Sequence, residues 1–221
     1  LGSYYSVRDY CAVDPCLGTM EDFDAFVAEA HRLGMKVLLD WIANHTARDA
    51  RWVTEKPASW YERDASGAPA VPWDWTDTAK LNYAEREVWR AQGDAMEFWV
   101  REHGVDGFRC DMAMLVPIEF WNETAQRLRR VKPGLFMLAE AEETYLFDGG
   151  AFDACYAWEM HHLMNDVAQQ RVRVTSLRDY IYADRRRYPR SAMRLAFTSN
   201  HDENSWNGSE FARMGAAREI M

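Results

Sequence analysis

The stretch VDGFRCD, residues 105–111, decides the fold class. It is a short, mostly apolar run that follows Gly104, a residue that typically ends a helix, and it ends in the charged residues Arg109 and Asp111. Alternate residues of a strand point to opposite faces, so Arg109 and Asp111 share one face while Phe108 and Cys110 share the other. A strand that packs one face under helices and ends in charged groups is typical of a parallel α/β sheet.

The rest of the chain repeats this pattern of helix followed by apolar strand. Apolar residues at helical spacing alternate with short runs that lack polar alternation, which predicts a parallel sheet covered by helices. A closed (β/α)₈ barrel and an open doubly wound sheet both fit, although no GxGxxG or GxxxxGK[ST] motif is present. The predicted helices cover 20–33, 85–103, 117–130, a broken stretch at 159–188 and a start near Ser209; the predicted strands are KVLLDW, VDGFRCD, LFMLAEAE, FDACYAW and MRLAFTSN.

The composition argues against nucleic-acid binding and membrane insertion. The 221 residues are 48% hydrophobic, enough for a sizeable core, and the net charge of -9 argues against nucleic acid as a partner. The longest apolar runs are too short for a transmembrane helix, so no membrane insertion is expected. The termini do not resemble a natural start and end, so we expect a fragment; localisation and oligomeric state are left open.

Polar groups collect where four predicted strands end. In a barrel, the carboxyl ends of the strands form the face that carries the active site, with residues supplied by several strands. Any one of these groups alone has an ordinary structural interpretation, such as an ion pair, but the whole set indicates a reactive pocket. The groups are Asp40, Asn44 and His45, then Arg109 and Asp111, then Glu140, and finally Asn200, His201 and Asp202.

Two of these carboxyl groups are expected to differ in pKa. The guanidinium of Arg109 should lower the pKa of Asp111 and keep it ionised, as a nucleophile requires. Glu140 leaves an apolar strand, and partial burial should raise its pKa, as a general acid requires. Two carboxyl groups in unlike environments divide the roles of acid and nucleophile.

Four short motifs, in order, resemble the sequence regions of the alpha-amylase family, glycoside hydrolase family 13: DWIANH (40–45), GFRCD (107–111), LAEAE (138–142) and FTSNHDE (197–203). The opening SYYSVRDYCAVDPCLGT resembles the segment before the first region, so the likeness covers residues 1–221. It implies a (β/α)₈ TIM barrel, here incomplete with about strands three to seven. It also implies a retaining mechanism on alpha-glucosidic bonds.

The resemblance assigns roles residue by residue. Asp111 would be the nucleophile, Glu140 the general acid and base, and Asp202 the third acid that holds sugar hydroxyls. The substrate-binding residues would be Arg109, which orients Asp111, His45 and His201, which hydrogen-bond the sugar, Asp40, a supporting acid, and Tyr5, which stacks under the sugar. The implied partner is an alpha-glucan such as starch, a maltooligosaccharide or a cyclodextrin.

The chain departs from the family pattern in two places. Met114 and Leu115 replace a lysine and a histidine that many amylases use at the next sugar and near a calcium site. No cofactor is required for the chemistry; a structural calcium near Asn44 is an open possibility, and this asparagine could instead only brace its loop. The irregular excursion at 49–82, after the third barrel strand, is short for the family's inserted domain B.

Other functions keep parts of the same pattern. The same acids would serve a transglycosylase, an alpha-1,6-glucosidase or an enzyme that converts maltose and trehalose. A non-catalytic binding barrel is disfavoured because all three acids are present. The arginines between 171 and 194 could form an anion-binding face, but a solvated helix face is the simpler interpretation. Four tryptophans in the excursion could stack on sugars: Trp52, Trp60, Trp73 and Trp75.

Overall fold

The computed structural model describes residues 3–221, which form one α/β arrangement. Its helices are α1 Met20–Arg32, α2 Arg51–Glu55, α3 Arg86–Arg101, α4 Ile118–Val131, α5 Trp158–Ala168, α6 Thr175–Arg187, α7 His201–Trp206 and α8 Glu210–Met214. Its strands are β1 Leu38–Trp41, β2 His45–Ala47, β3 Thr78–Lys80, β4 Gly107–Cys110, β5 Phe136–Ala139, β6 Ala154–Tyr156 and β7 Met193–Leu195.

Five of the strands form a parallel sheet in the order β1-β4-β5-β6-β7. Each strand of this sheet lies beside its successor along the chain, with the helices of the connecting segments packed outside. Five consecutive strands of a (β/α)₈ barrel have this order, which confirms the predicted incomplete (β/α)₈ fold. All five predicted strands are present, shortened at their ends.

The core lies between the sheet and its helices, as the alternation in VDGFRCD predicts. Phe108 and Cys110 of β4 are fully buried beside Trp121 of α4 and Met137 of β5. Burying a large apolar side chain contributes about 1.5–3 kcal/mol, so this layer supplies much of the stability of the sheet. The other face of β4 is thereby left to carry Arg109.

Helix α1 begins where its sequence predicts. The side chain of Thr19 accepts a hydrogen bond from the backbone N–H of Asp22, and the Asp22 carboxylate accepts one from the backbone N–H of Thr19. This reciprocal capping box satisfies two backbone donors that the first turn would leave unpaired.

The excursion at 49–82 contains more regular structure than its sequence suggests. It contains α2 and β3, and β3 pairs antiparallel with β2, which lies just before the excursion, with His45 opposite Lys80. Trp60 is buried in a small apolar cluster, whereas Trp73 is 63% exposed. Of these two tryptophans, only Trp73 has a free face on which a sugar could stack.

The segment after β7 differs from expectation. The sequence predicts a helix that begins near Ser209, and α8 is capped by Ser209, but a further helix, α7, begins earlier, at His201. The side chain of Asn200 accepts a hydrogen bond from the backbone N–H of Glu203 at 2.7 Å, which caps this extra turn. No helix within residues 3–221 is long and apolar enough to cross a membrane.

Gly107 allows β4 and β5 to approach each other closely. A Cβ at this position would lie 2.0 Å from the backbone oxygen of Phe136, and that oxygen belongs to the neighbouring strand. We therefore expect Gly107→Ala to lower the free energy of unfolding by about 3 kcal/mol or more, since the backbone must shift.

Urea denaturation of the protein that contains this chain would measure the effect of Gly107→Ala. Gly93→Ala in α3 is the matched control, because its added Cβ meets the flexible end of Arg127 at 3.3 Å. We expect that control to change stability by less than about 1 kcal/mol. Equal effects of the two substitutions would contradict the close-approach explanation.

Candidate active site

The site is organised around Arg109, which contacts three carboxylates. Its Nη1 lies 2.8 Å from Oδ1 of Asp40 and 2.8 Å from Oδ1 of Asp111, and its Nη2 lies 2.6 Å from Oε1 of Glu140. The strand register explains the convergence: Arg109 pairs with Asp40 on one side, and Cys110 pairs with Ala139 on the other. Asp111 and Glu140 therefore leave adjacent strands at the same level, about 4.8 Å apart.

Burial controls the protonation of the two central acids. Asp111 and Glu140 are 7% and 6% exposed, respectively. Burial is the largest influence on Glu140; it outweighs the opposing charge of Arg109, and the pKa of Glu140 rises to about 7. The predicted rise in the pKa of Glu140 is confirmed.

The prediction for Asp111 was wrong in direction. Burial raises the pKa of Asp111 above its ordinary value despite the opposing effect of Arg109. A charge partner at contact distance lowers a carboxyl pKa only when it outweighs the loss of solvent. The two acids also affect each other: Asp111 raises the pKa of Glu140, while Glu140 lowers that of Asp111. The proton shared by the pair therefore belongs on Glu140.

The backbone after Asp111 also holds Glu140 in place. The N–H of Met112 donates a hydrogen bond to Oε2 of Glu140 at 3.0 Å. Met112 has φ 42° and ψ 48°. These angles lie in the left-handed region, which residues other than glycine seldom occupy. Such a conformation at an active-site turn aims a donor that a strand or helix would direct elsewhere.

Tyr5 connects two of the predicted sugar-binding residues. Its hydroxyl donates to Oδ2 of Asp40 at 2.8 Å and lies 2.8 Å from Nε2 of His201. The Tyr5 and His201 rings are stacked, with centroids 5.4 Å apart and an interplanar angle of 6°. The structure thus brings Tyr5, Asp40 and His201 together, and Asp40 joins them to Arg109.

His45 approaches the same site from β2. Its Nε2 lies 3.2 Å from the backbone oxygen of Tyr5, and its ring centroid lies 5.3 Å from that of Trp75. Burial lowers the pKa of His45, which favours the neutral imidazole. A neutral ring beside Tyr5 can hydrogen-bond a sugar hydroxyl without adding positive charge.

Asn44 is buried, and its Nδ2 lies 3.3 Å from Nδ1 of His45. Calcium takes about six to eight oxygen ligands. Within residues 3–221 no group of three or more Asp, Glu, His or Cys side chains is placed to hold a metal ion. The contact with His45 fits the bracing alternative for Asn44, the calcium alternative stays a prediction, and no chemical step proposed below passes through calcium.

Asp202 lies at the edge of this constellation. It sits in the first turn of α7, 45% exposed at its side chain, with its Oδ2 3.5 Å from Nε2 of His201. Its link to Arg109 runs through His201, Tyr5 and Asp40. The position of Asp202 is therefore set by its neighbours in α7, and its side chain is partly open to solvent.

Sequence reasoning missed Tyr156, at the end of β6. Its hydroxyl lies 3.4 Å from Nε of Arg109, and the guanidinium carbon lies 5.7 Å from its ring centroid. The available signal was position: Tyr156 ends an apolar strand, as the other site residues do. Its buried ring limits the movement of Arg109 and excludes water from that side.

A pH profile should report the Glu140 proton. A general acid acts in its protonated form, so the contribution that the resemblance assigns to Glu140 is complete below its pKa and is lost as pH rises through about 7. We expect kcat/KM on a maltooligosaccharide to fall above neutrality, which is the alkaline limb of the profile. Because Asp111 and Glu140 interact, the acid and alkaline limbs report the pair and not either residue alone. On an activated aryl glucoside that needs no acid, Glu140→Gln should keep measurable kcat/KM and show no alkaline fall in it, and the wild type should show at most a weak fall on that substrate. Persistence of that limb in the variant would assign it to another group.

Comparisons with known proteins agree with this geometry. The family model described as alpha amylase, catalytic domain, matches residues 3–76 and 59–220. Alpha-amylase MalA of Haloarcula japonica is 34% identical over 158 residues, which are 67% of this chain and 23% of that protein. An alpha-1,4-glucan:maltose-1-phosphate maltosyltransferase of Arcanobacterium haemolyticum is 37% identical over 136 residues, or 59% of this chain and 19% of that protein.

The fold has close counterparts among solved structures. The crystal structure of an alpha-amylase from Lactobacillus plantarum superposes with a TM-score of 0.84 at 32% identity and covers 91% of this chain and 52% of that one. This chain spans about a quarter of the first curated relative and about half of that solved structure. The matches to both parts of the chain, and to the barrel that carries the acids, show that this chain belongs to the alpha-amylase catalytic domain family.

Proposed function

We propose that the protein carrying this chain is a retaining glycoside hydrolase that cleaves alpha-1,4-glucosidic bonds in starch, maltooligosaccharides or cyclodextrins. The observation that carries the proposal is the buried pair Asp111 and Glu140, held by one guanidinium with the proton on Glu140. Retaining glycosidases need carboxyl groups about 5–5.5 Å apart, and neighbouring strands about 4.8 Å apart support such a separation.

In the first step, the neutral Glu140 donates its proton to the glycosidic oxygen as the bond from that oxygen to the anomeric carbon breaks. A carboxylate oxygen of Asp111 forms a bond to the anomeric carbon from the opposite face. The proposed roles use these environments: the raised pKa of Glu140 lets it hold the proton up to about pH 7, and Arg109 directs Asp111.

In the second step, the Glu140 carboxylate takes a proton from water, and the water oxygen attacks the anomeric carbon. The bond to Asp111 breaks, and the sugar leaves with its original anomeric configuration. The transition states are positively charged, and the three acids Asp40, Asp111 and Asp202 supply compensating charge at the site. His45, His201 and Tyr5 would hydrogen-bond or stack on the sugar in this subsite.

Transfer to a sugar acceptor is the second candidate. The relative that is 37% identical is named as a maltosyltransferase, and the same covalent intermediate can be resolved by a sugar hydroxyl in place of water. Met114 and Leu115, both partly buried, follow the nucleophile where many family members have polar residues. An apolar wall on the leaving-group side would disfavour water and favour a sugar acceptor.

Product analysis tests the proposal and separates the two candidates. The full-length protein is incubated with maltoheptaose, soluble starch and a cyclodextrin, and the products are resolved by chromatography over time. We expect shorter maltooligosaccharides from at least one glucan, whereas products longer than maltoheptaose would favour transfer. Failure on all three substrates, and on sucrose, trehalose and isomaltose, would support a non-catalytic binding role.

A further inference from the structure

A buried histidine contacts both ends of the segment that leads into the first turn of α7, where His201 and Asp202 lie. His161, on α5, has no solvent exposure. Its Nδ1 lies 3.0 Å from the backbone oxygen of Phe197, and its Nε2 lies 3.0 Å from Oε2 of Glu203. The two contacts therefore involve Phe197 and Glu203, which flank the segment 198–202.

Both ring nitrogens of His161 face oxygen acceptors. The Glu203 carboxylate is thereby the side-chain partner of Nε2, and the backbone oxygen of Phe197 is the partner of Nδ1. Asn165 also lies 3.1 Å from Nε2 of His161, while donating to the backbone oxygen of His161 at 3.0 Å. The imidazole ring stacks on the Phe197 ring, with centroids 4.6 Å apart and an interplanar angle of 10°.

Glu203 is fixed by further contacts within α7. Its backbone N–H donates to the side chain of Asn200, and Nδ2 of Asn207 lies 3.3 Å from both of its carboxylate oxygens. Arg213 adds a second tie to the loop, because its Nη2 donates to the backbone oxygen of Thr198 at 2.7 Å. Glu203 is 9% exposed, and its carboxylate faces the ring of His161 on α5.

Position in sequence ties this pair to the reaction. Glu203 immediately follows Asp202, so the orientation of Glu203 within the first turn of α7 fixes where Asp202 and His201 point. His201 in turn contacts the hydroxyl of Tyr5 at 2.8 Å. A rotation of this turn would therefore move the third acid and the stacked ring of His201 together.

We propose that His161 and Glu203 are positioning residues that set the placement of Asp202 and His201 over the reacting sugar. They act through the loop and do not touch the substrate. The inference rests on the proposed function, because its readout is turnover. A misplacement of about 1 Å in an active site can cost about 100-fold in rate.

The test separates stability from position with paired variants. Glu203→Leu leaves Nε2 of the buried His161 without its carboxylate partner and should lower both Tm and kcat. The double variant His161→Leu/Glu203→Leu replaces the pair with apolar side chains, and such replacements often restore stability. We expect the double variant to regain most of the wild-type Tm while its kcat stays about 10- to 100-fold below wild type.

Two further variants complete the design. Glu203→Gln keeps an acceptor for His161 and should recover much of the lost kcat, as a conservative rescue. Glu210→Leu, which removes an acid from the neighbouring helix α8, is the matched control and should leave kcat within about twofold.

The outcomes separate failure of the positioning role from failure of the proposed function. Wild-type kcat in the stable double variant would overturn the positioning role. An inactive wild-type protein would instead refute the proposed function on which it rests. A drop in kcat with restored Tm, and rescue by Glu203→Gln, would support the inference.

Discussion

Asp111→Asn should reduce turnover of a maltooligosaccharide by about 1,000-fold or more while leaving the fold intact. In the wild type, Nη1 of Arg109 lies 2.8 Å from Oδ1 of Asp111. The amide has the shape of the carboxylate, so it can still face Arg109. It cannot form the covalent bond to the anomeric carbon. Steady-state kinetics with reducing-sugar detection would measure the loss, and circular dichroism would check the fold.

A chemical rescue distinguishes a nucleophile from a structural acid. Asp111→Gly opens space beside the anomeric carbon, and added azide can attack there when the substrate carries an activated leaving group. One inversion then gives a beta-glucosyl azide from an alpha-glucoside, in place of the double inversion. Asp148→Asn, at an exposed carboxylate, is the control and should keep full activity. More than about a tenth of wild-type turnover in Asp111→Asn would contradict the assignment.

Arg109→Leu should have the second largest effect, on stability as well as rate. It removes the charge that three carboxylates share, those of Asp40, Asp111 and Glu140. Breaking a buried pair by removing one partner costs about 3–5 kcal/mol, because the remaining charge is left uncompensated. We expect a free energy of unfolding lower by about that amount at pH 8, with kcat/KM reduced by at least about 100-fold.

The pH dependence of this loss has a definite sign. Without the guanidinium, the pKa values of the buried acids rise further, so the folded state holds protons that the unfolded state has released. Stability of Arg109→Leu should therefore fall as pH rises from about 5 to 8, more steeply than in the wild type. Urea midpoints at a series of pH values would measure it.

Two comparison variants make the Arg109 result specific. Arg109→Lys keeps the charge but cannot bridge three carboxylates as a planar fork, so it should be intermediate. Arg101→Leu removes the ion pair between the exposed Arg101 and Glu97, which keeps its contact with Arg127, and should cost less than about 1 kcal/mol at any of these pH values. Parallel pH curves for Arg109→Leu and wild type would rule out the shared-charge account.

Local patterns in the chain predicted the sheet because they act through local physics. The alternation in VDGFRCD separated the face that packs on helices from the face that carries Arg109, and the buried Phe108 confirms it. The capping box of Thr19 and Asp22 predicted the start of α1 for the same reason. The ends of parallel strands meet at one edge, so Asp40, Asp111 and Glu140 could be grouped before their contacts were known.

Features that depend on burial or on distant partners could not be predicted. The pKa of Asp111 depends on how much solvent the completed site excludes, which its neighbouring Arg109 does not reveal. The contact of Tyr156 with Arg109 joins strands that are 47 residues apart in sequence. The short turn α7 exists because Asn200 caps it, and the same side chain could have served a loop.

The measurement that tests the central claim most directly is the anomeric form of the first product. The full-length protein is mixed with maltoheptaose in an NMR tube, and the anomeric protons are recorded before mutarotation equilibrates them. The account predicts that the alpha anomer accumulates first and relaxes later toward the mixture. Initial release of the beta anomer would contradict it, because a single displacement by water would then replace the covalent step at Asp111.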